Sequence, residues 1–178
     1  MPKKGGGILL VNHRSVLDPV IIGSVISKRS IRFMAKKELF DIFLLKTIIR
    51  KLGAFPVDRE SADLSFMRKV IRLLTHQQEV VLIFGEGTRN LDLSLPIMPL
   101  KTGFAFLAKR AKVPVIPAYA TGVHDLLKLK IRPKLMVSFG RPIMVEDHKV
   151  AIPVMQKALE QLAEHHQNKL KVKKHEAG

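Results

Sequence analysis

His13 and Asp18 stand five residues apart near the start of the chain, directly after a short apolar run at residues 8–11. The unperturbed pKa of histidine lies near neutrality, so an imidazole at this position suits general-base work. A carboxylate on the other ring nitrogen fixes the tautomer and stabilises the imidazolium that forms. The chain has no cysteine to compete as a nucleophile. The pair therefore predicts a base that activates a substrate hydroxyl directly, without a covalent intermediate.

Two further loops carry residues that suit an anionic ligand. Residues 53–59 end in Arg59, and residues 84–90, which follow the most apolar segment of the chain, include Arg89. Gly85 and Gly87 permit close backbone approach, and an arginine presents a planar fork that matches phosphate or carboxylate. Ligands of open α/β sheets gather where strands end and loops begin. Together with the His13 loop, these loops predict a site for a phosphorylated alcohol.

Each of these residues also has a simpler explanation. Asp18 precedes Pro19 and suits a helix N-cap, and a lone histidine at a strand end is commonly structural or exposed. Arg59 and Arg89 belong to a large set of basic residues, most of which solvate a surface, and the glycines suit ordinary turns. The functional interpretation therefore depends on these residues occurring together.

The period of the apolar residues alternates between strand and helix types along the chain. The segments predicted as strands are residues 8–11, 31–35, 53–57, 80–84, 113–119, 135–139 and 143–145. The segments predicted as helices are residues 20–27, 39–51, 63–77, 102–112 and 152–171. This alternation predicts a single α/β domain with a largely parallel sheet flanked by helices. We assign residues 1–170 to this domain and residues 171–178 to a basic, frayed tail.

The composition favours an anionic partner. The 178 residues include 31 Lys and Arg against 15 Asp and Glu, which gives a formal charge of +16. Phospholipid headgroups, a phosphorylated substrate or an acidic carrier protein all fit this charge. With no tryptophan and one tyrosine, the chain offers few stacking platforms, which disfavours nucleic acid.

Several other classes of site and segment are disfavoured by the sequence. The absence of cysteine excludes disulfides and thiolate metal sites, and no histidines show His-Glu-x-x-His spacing, so we predict no metal. His165 and His166 fall on a charged helical segment, where we expect both to be solvated. No apolar run approaches about 18 residues, so we predict no transmembrane helix, and the first residues lack a signal-peptide layout.

Four segments resemble, in the correct order, the motifs of the 1-acyl-glycerol-3-phosphate acyltransferases, a family of glycerolipid acyltransferases. Residues 12–18 match the pattern Asn-His-x-x-x-x-Asp, and Gly53, Phe55 and Arg59 resemble Gly-x-x-Phe-x-x-Arg, with the phenylalanine one position earlier than in the pattern. Residues 84–90 resemble Phe-Pro-Glu-Gly-Thr-Arg-Ser, and residues 115–119 resemble an apolar strand with a central proline, Pro117. One such motif is weak evidence, whereas four in order across most of the chain are strong evidence.

The resemblance implies a role for each matched position. His13 would be the general base on the acceptor hydroxyl, and Asp18 would orient it. The residues that would bind the acceptor phosphate or shape its pocket are Arg59, Glu86, Gly87, Thr88, Arg89 and Lys101. The residues that would form the wall of the site are Asn12, Phe55 and Pro117. The backbone N–H groups of Gly87 and Thr88 are candidate donors to the oxyanion that develops on the attacked carbonyl.

The implied activity is transfer of a fatty acyl group from acyl-CoA or acyl carrier protein to the free hydroxyl of lysophosphatidic acid, giving phosphatidic acid. No cofactor beyond the acyl donor is expected. The resemblance also implies a peripheral enzyme on the cytoplasmic face of an anionic phospholipid membrane. Glycerol 3-phosphate or another lysophospholipid as acceptor, and a non-catalytic lipid-binding role, are alternatives that the motifs leave open.

The chain departs from the family pattern at two places. Gly85 stands where the family usually has proline, which predicts a looser entry into the third loop. Family members usually carry an apolar or amphipathic helical segment before the first motif, whereas eleven residues precede Asn12 here. Either the membrane anchor is missing from this chain, or other surfaces bind the membrane; for the second case the candidate is the apolar stretch at residues 39–49, with basic residues on both sides. A buried core helix is the alternative for this stretch.

Overall fold

Six strands form one sheet, in a computed structural model that describes residues 4–26, 29–57, 64–92, 94–122 and 135–175. The strands are β1 Gly7–Val11, β2 Ile31–Lys36, β3 Ala54–Val57, β4 Val80–Phe84, β5 Val115–Thr121 and β6 Met136–Phe139. Their order across the sheet is β3-β2-β4-β1-β5-β6. Neighbouring strands among β1 to β5 are parallel, and β6 runs antiparallel to β5.

Helices cover both faces of the sheet. They are α1 Asp18–Val25, α2 Phe43–Lys51, α3 Leu64–Thr75, α4 Gly103–Ala111 and α5 His148–His175, and a 3-10 helix at Lys37–Phe40 precedes α2. One core cluster contains Leu74, Phe104 and Met155 from α3, α4 and α5, and the cluster on the other face contains Ile22 and Ile49 from α1 and α2. The prediction of one α/β domain with a largely parallel sheet is confirmed.

The central strands bring two of the motif loops together. Every residue of β1 is buried, because helices cover both of its faces, and this explains its continuous apolar sequence. Val11 at the end of β1 pairs in register with Phe84 at the end of β4. Since the two strands are parallel neighbours, the loops that follow them leave the same edge of the sheet side by side. We call this the carboxyl edge.

Two predicted elements differ from the observed ones in the middle and late parts of the chain. The helix predicted for residues 39–51 is interrupted, because Ile42 has an extended backbone (φ −82°, ψ 111°) and α2 begins only after it. The strand predicted for residues 143–145 is wrong. Ile143 forms only an isolated bridge to Val115, with N–H···O distances of 2.8 and 2.9 Å, and Pro142 before it has no N–H to extend the pairing.

The last helix begins earlier than predicted. Asp147 accepts the N–H of Lys149 through its carboxylate at 2.9 Å and the N–H of Ala151 through its carbonyl at 3.0 Å, and it thereby caps α5 at His148. The helix continues through residue 175, so it enters the segment that the sequence predicts as a tail. Residues 176–178 lie outside the described residues, and the division at residue 170 stays a prediction.

Candidate active site

His13 is fixed through its backbone by the loop that follows β4. Its N–H donates to Glu86 Oε1 at 2.7 Å, and its carbonyl accepts the N–H of Asn90 at 2.7 Å. The side chain of Asn90 donates to the carbonyl of Leu95 at 3.1 Å and so links two parts of the same loop. The third motif therefore holds the histidine of the first motif from both sides, which the sequence did not indicate.

The imidazole of His13 is also fixed, with one nitrogen left available. Its ring stacks on Phe84, with ring centroids 3.8 Å apart and planes inclined by 14°. Its Nδ1 lies 2.9 Å from Asp18 Oδ2, and its side chain is 14% exposed. Because a carboxylate only accepts hydrogen bonds, Nδ1 carries the hydrogen and the lone pair is on Nε2. Within the described residues, Nε2 makes no hydrogen bond.

Asp18 is not the N-cap of α1. The cap position is Leu17, without a side-chain hydrogen bond, and Asp18 lies in the first turn. Its Oδ2 accepts the backbone N–H groups of Arg14 at 2.6 Å and Ser15 at 2.8 Å in addition to His13 Nδ1, and its side chain is 3% exposed. Backbone donors thus hold a buried carboxylate in place, and Asp18 in turn orients the imidazole.

Glu86 is buried beneath the exposed part of the third motif and binds backbone groups, and its place in the phosphate pocket stays a prediction. The residue is 1% exposed, and its Oε1 and Oε2 accept the backbone N–H groups of His13 and Met98 at 2.7 and 2.8 Å. Burial raises the pKa of its carboxyl group, and the N–H donors of Met98 and His13 and the charge of Arg14 partly offset the rise. Because both oxygens bond to the backbone, Glu86 ties the third motif to His13.

Asn12 extends the pairing between β1 and β5. Its Nδ2 donates to the carbonyl of Ala120 at 3.0 Å, and its Oδ1 accepts the N–H of Ala120 at 2.8 Å. The side-chain amide thus replaces a backbone peptide group in the ladder at the position just before His13. Asn12 is 2% exposed, so it supports the strand end and does not form an open wall.

Arg14 organises the outer part of the third loop. Its guanidinium donates to the carbonyls of Asp92 at 3.3 Å, Pro96 at 3.1 Å and Leu95. The hydroxyl of Tyr119 donates to the same Pro96 carbonyl at 2.9 Å. Sequence reasoning gave neither residue a role, because the carbonyls they bind are distant in the chain.

The exposed part of the third motif includes Arg89, and Lys101 lies next to it. Gly87 has φ +75°, the left-handed region that favours glycine, and a Cβ at this position would lie 3.2 Å from Lys101 Cγ. The side chain of Lys101 therefore lies against the motif, and its phosphate contact stays a prediction. Arg89 is exposed, and within the described residues it has no ion pair or hydrogen-bond partner for its side chain.

Of the two candidate oxyanion donors, one is occupied. The N–H of Gly87 donates to the carbonyl of Phe84 at 3.1 Å and closes a turn. The N–H of Thr88 makes no hydrogen bond in the described parts of the chain, and the residue is exposed. Thr88 is thus the remaining candidate of the pair.

The loop entry at Gly85 is not loose, contrary to the expectation. Its N–H donates to the carbonyl of Val11 at 3.1 Å, and its carbonyl accepts the N–H of Lys101 at 2.8 Å. A Cβ here would approach Leu100 Cδ2 to 2.6 Å and Leu10 Cδ1 to 3.0 Å. A proline would remove the bond to Val11 and require Leu100 to move.

Phe55 and Pro117 belong to the core below the site. Phe55 is level with Leu10 across the sheet, and Pro117 pairs in register with Leu10. Leu10 and the residues level with it lie three residues, or about 10 Å of extended strand, before His13. Phe55 is 7% exposed and packs on Phe66 of α3, with ring centroids 6.5 Å apart. Both residues lie below the carboxyl edge, and their role as walls of the site stays a prediction.

Arg59 lies outside the described residues. The strand before it, β3, is three strand positions from β1, which corresponds to about 14 Å. The phosphate contact predicted for Arg59 therefore stays a prediction.

The two neighbouring histidines of α5 differ in environment. His165 is exposed as expected, but the expectation for His166 is wrong. His166 is 1% exposed, with Nδ1 3.0 Å from Thr121 Oγ1 and Nε2 2.8 Å from Ser138 Oγ. Burial, together with His165 and Lys169, lowers its pKa to about 4. It lies on the sheet face opposite α1 and joins α5 to β5 and β6.

The described residues contain no group of three or more His, Cys, Asp or Glu residues arranged to hold a metal ion. They also contain no helix with the length and apolar character needed to span a membrane.

Residues 1–121 match the model of a protein family described as Acyltransferase. The chain belongs to this family. It is 32% identical over 175 residues to the 1-acyl-sn-glycerol-3-phosphate acyltransferase of Bacillus subtilis, covering 96% of this chain and 85% of the relative. It is 35% identical over 142 residues to the Streptococcus pneumoniae protein of the same name, covering 80% of this chain and 52% of that relative. The chain thus spans about half the length of the second relative and most of the first.

The fold is also that of a solved acyltransferase. The crystal structure of the 1-acyl-sn-glycerophosphate (LPA) acyltransferase from Thermotoga maritima superposes with a TM-score of 0.76 at 22% identity, covering 93% of this chain and 68% of the other. At this identity the likeness concerns the fold alone. The family resemblance stated from the four motifs is confirmed by the family model and the relatives.

Proposed function

We propose that this acyltransferase transfers a fatty acyl group from a thioester donor, acyl-CoA or acyl carrier protein, to the free hydroxyl of lysophosphatidic acid. The observation that carries the proposal is the contact between His13 Nδ1 and Asp18 Oδ2 at 2.9 Å, with Nε2 left without a partner among the described residues. The names of the Bacillus subtilis and Streptococcus pneumoniae relatives support this acceptor.

The reaction follows from general-base catalysis. Nε2 of His13 takes the proton of the acceptor hydroxyl as its oxygen attacks the thioester carbonyl. Asp18 stabilises the imidazolium, and the Thr88 N–H is the proposed donor to the oxyanion. Collapse of the tetrahedral intermediate breaks the C–S bond, and the leaving thiolate takes the proton from His13. The products are the ester and the free thiol, and no further cofactor enters the balance.

The acceptor phosphate is assigned to the exposed cations beside this base. Arg89 presents a fork suited to bidentate contact with phosphate, and Lys101, which lies against Gly87 of the third motif, adds a point charge. Both follow β4, the neighbour of the strand that carries His13. Arg59 at the end of β3 is kept in the proposal as a third contact.

The proposed location is the surface of an anionic phospholipid membrane, on the cytoplasmic side, with the protein bound peripherally. The lipid acceptor resides in that surface, and the formal charge of +16 supports attraction to it. Thioester donors carry phosphates or acidic protein surfaces, which suit the same charge.

Product analysis with a panel of acceptors tests the proposal. Purified protein is incubated with oleoyl-CoA or oleoyl acyl carrier protein and with detergent-dispersed lysophosphatidic acid, glycerol 3-phosphate or lysophosphatidylcholine, and products are identified by mass spectrometry. We expect phosphatidic acid from lysophosphatidic acid as the fastest reaction. Faster acylation of glycerol 3-phosphate would move the enzyme to another acceptor class. No product with any pair would favour a non-catalytic lipid-binding protein.

A further inference from the structure

Helix α1 has an apolar outer surface that is unusual for a helix on the outside of a domain. Its one charged side chain is Asp18, which is buried in the active site. Val20 and Ile21 are half-exposed and Val25 is 52% exposed. Apart from Gly23 and the exposed Ser24, the outward residues are apolar, and an apolar helix surface is normally covered. This outward side therefore suits an apolar or interfacial environment better than bulk water.

Helix α2 packs on the same face of the sheet as α1 and exposes larger apolar side chains. Ile49 points into the core and is 6% exposed, whereas Phe43 is 85% exposed. Ile42 and Ile48 are 54% and 51% exposed. Phe43 is the most exposed of the large apolar side chains in the described residues, and it stands at the carboxyl edge because α2 begins there.

The charges on this face are complementary to an anionic surface. From residue 42 to residue 57 the chain has no acidic residue, and α2 carries Lys46, Arg50 and Lys51. Glu38 and Asp41 precede the helix at its carboxyl-edge end, beside two lysines. Beyond the other end of α2 lies a cleft of about 240 Å³ whose basic lining residues are Arg29, Arg32, Arg50 and Lys51. Arg32 is paired there with Glu79 at 2.8 Å.

We propose that the outer face of α1 and α2, formed by Val20, Ile21, Val25, Ile42, Phe43 and Ile48, docks on an anionic phospholipid bilayer. We call it the docking face. Apolar side chains enter the interface while the lysines and arginines of α2 meet the headgroups. The inference rests on the proposed function, which supplies the lipid partner, and it adds the orientation of the protein on the bilayer. The His13 loop leads directly into α1, so the base lies beside the bilayer that holds the acceptor.

Tryptophan reporters locate the docking face without relying on activity. The chain has no tryptophan, so Phe43→Trp and Phe106→Trp each create a single reporter. Phe106 is the matched control, because it is 50% exposed on α4, on the opposite face of the sheet. With vesicles of phosphatidylcholine and phosphatidylglycerol, we expect a blue shift and quenching by brominated lipid for the reporter at residue 43 alone. An equal response of both reporters, or a response at residue 106 only, overturns the proposal.

Vesicle flotation measures the contribution of each side chain. Phe43→Ala should weaken partitioning about tenfold, because a large aromatic side chain no longer leaves water, and Phe106→Ala should leave it unchanged. The pair Lys46→Glu and Lys51→Glu should reduce binding to anionic vesicles, whereas Lys109→Glu with Arg110→Glu on α4 should reduce it less. Equal losses in the two charge pairs overturn the assignment of the charged face.

Two outcomes separate this inference from the proposed function. Vesicle binding through Phe43 by a protein that acylates no acceptor sustains the docking face and rejects the activity. If the protein acylates dispersed lysophosphatidic acid but vesicle binding does not depend on Phe43, the docking face alone is rejected. If Phe43→Ala instead changes the oligomeric state in size-exclusion chromatography and not vesicle binding, the face is an interface between two copies, which also overturns the proposal.

Discussion

Asp18→Asn separates the charge of the carboxylate from its hydrogen bonds. Three donors converge on Oδ2, namely His13 Nδ1 and the N–H groups of Arg14 and Ser15. An asparagine therefore places its carbonyl oxygen at that position and its NH₂ group at the position of Oδ1. The shape of the site and the orientation of the imidazole are kept, but the imidazolium that forms during the reaction loses its counter-charge.

The magnitude follows from the geometry. With 2.9 Å between Nδ1 and Oδ2, the two charge centres lie about 4 Å apart, and at an effective dielectric constant of about 20 they attract by about 4 kcal/mol. Loss of this attraction in the transition state lowers kcat by about 10²- to 10³-fold. Asp18 is buried away from the acceptor, so KM should change little. Three charge-assisted hydrogen bonds become neutral ones, which lowers the free energy of unfolding by about 2–3 kcal/mol.

Release of CoA from oleoyl-CoA with lysophosphatidic acid gives kcat and KM, and thermal unfolding gives the change in stability. Asp147→Asn is the matched control, because Asp147 also accepts a backbone N–H but lies exposed at the start of α5. It should leave kcat unchanged, since asparagine is an equally good N-cap. A kcat for Asp18→Asn within a few-fold of the wild-type value would refute the reasoning and leave Asp18 as a structural residue only.

Three further predictions follow from the site and its surroundings. Glu86→Gln leaves one backbone N–H facing an amide donor, so the free energy of unfolding should fall by about 1–3 kcal/mol with little change in KM. The exposed Glu160→Gln should alter neither quantity. A raised KM with unchanged stability would contradict the positioning role and indicate a direct contact with the phosphate. Arg89→Ala should raise KM for lysophosphatidic acid about tenfold or more, because Arg89 lies at the proposed phosphate site. Arg110→Ala should leave this KM unchanged. Equal KM values for both variants and the wild-type protein would remove Arg89 from the site. The pKa of His166 is about 4, below its ordinary value of 6.5. Between these two pH values the unfolded chain binds the proton more readily than the folded protein. The free energy of unfolding should therefore fall as the pH drops through this window, by up to about 3 kcal/mol. Denaturant unfolding at several pH values should show this part of the slope disappear in His166→Gln, and an unchanged slope would contradict it.

The sheet and most helices could be predicted from the sequence because burial leaves a direct pattern. β1 and β4 are continuous apolar runs because both faces of each strand are covered, and such runs need no knowledge of the neighbours. The exact helix ends were less accessible. The break at Ile42 and the cap at Asp147 depend on single backbone conformations that apolar periodicity does not register.

The chemistry of the site was predictable only in part. His13 and Asp18 are close in the chain, so their spacing carried the signal, and the structure shows the pair in contact. Glu86, Asn90 and Arg14 act on groups more than 70 residues away, on parts of the backbone that only the fold brings together. A buried carboxylate that accepts backbone N–H groups and one that binds a ligand look the same in a motif, and burial decides between them.

His166 illustrates the same limit in a helix. The charged residues around it predict a solvated position, and the exposed His165 has one. His166 instead finds two hydroxyl partners, on Thr121 and Ser138, which satisfy both ring nitrogens in the core. Neither partner could be identified from the sequence, because the pairing of β5 with β6 and the position of α5 place them there.

The central claim is that His13 removes the proton of the acceptor hydroxyl. Formation of phosphatidic acid from oleoyl-CoA and lysophosphatidic acid should be compared among the wild-type protein, His13→Ala and His165→Ala, an exposed histidine on α5. Loss of a positioned general base predicts a rate about 10²- to 10⁴-fold lower for His13→Ala, with His165→Ala unaffected. Equal rates of product formation by the wild-type protein and a folded His13→Ala variant would contradict the claim.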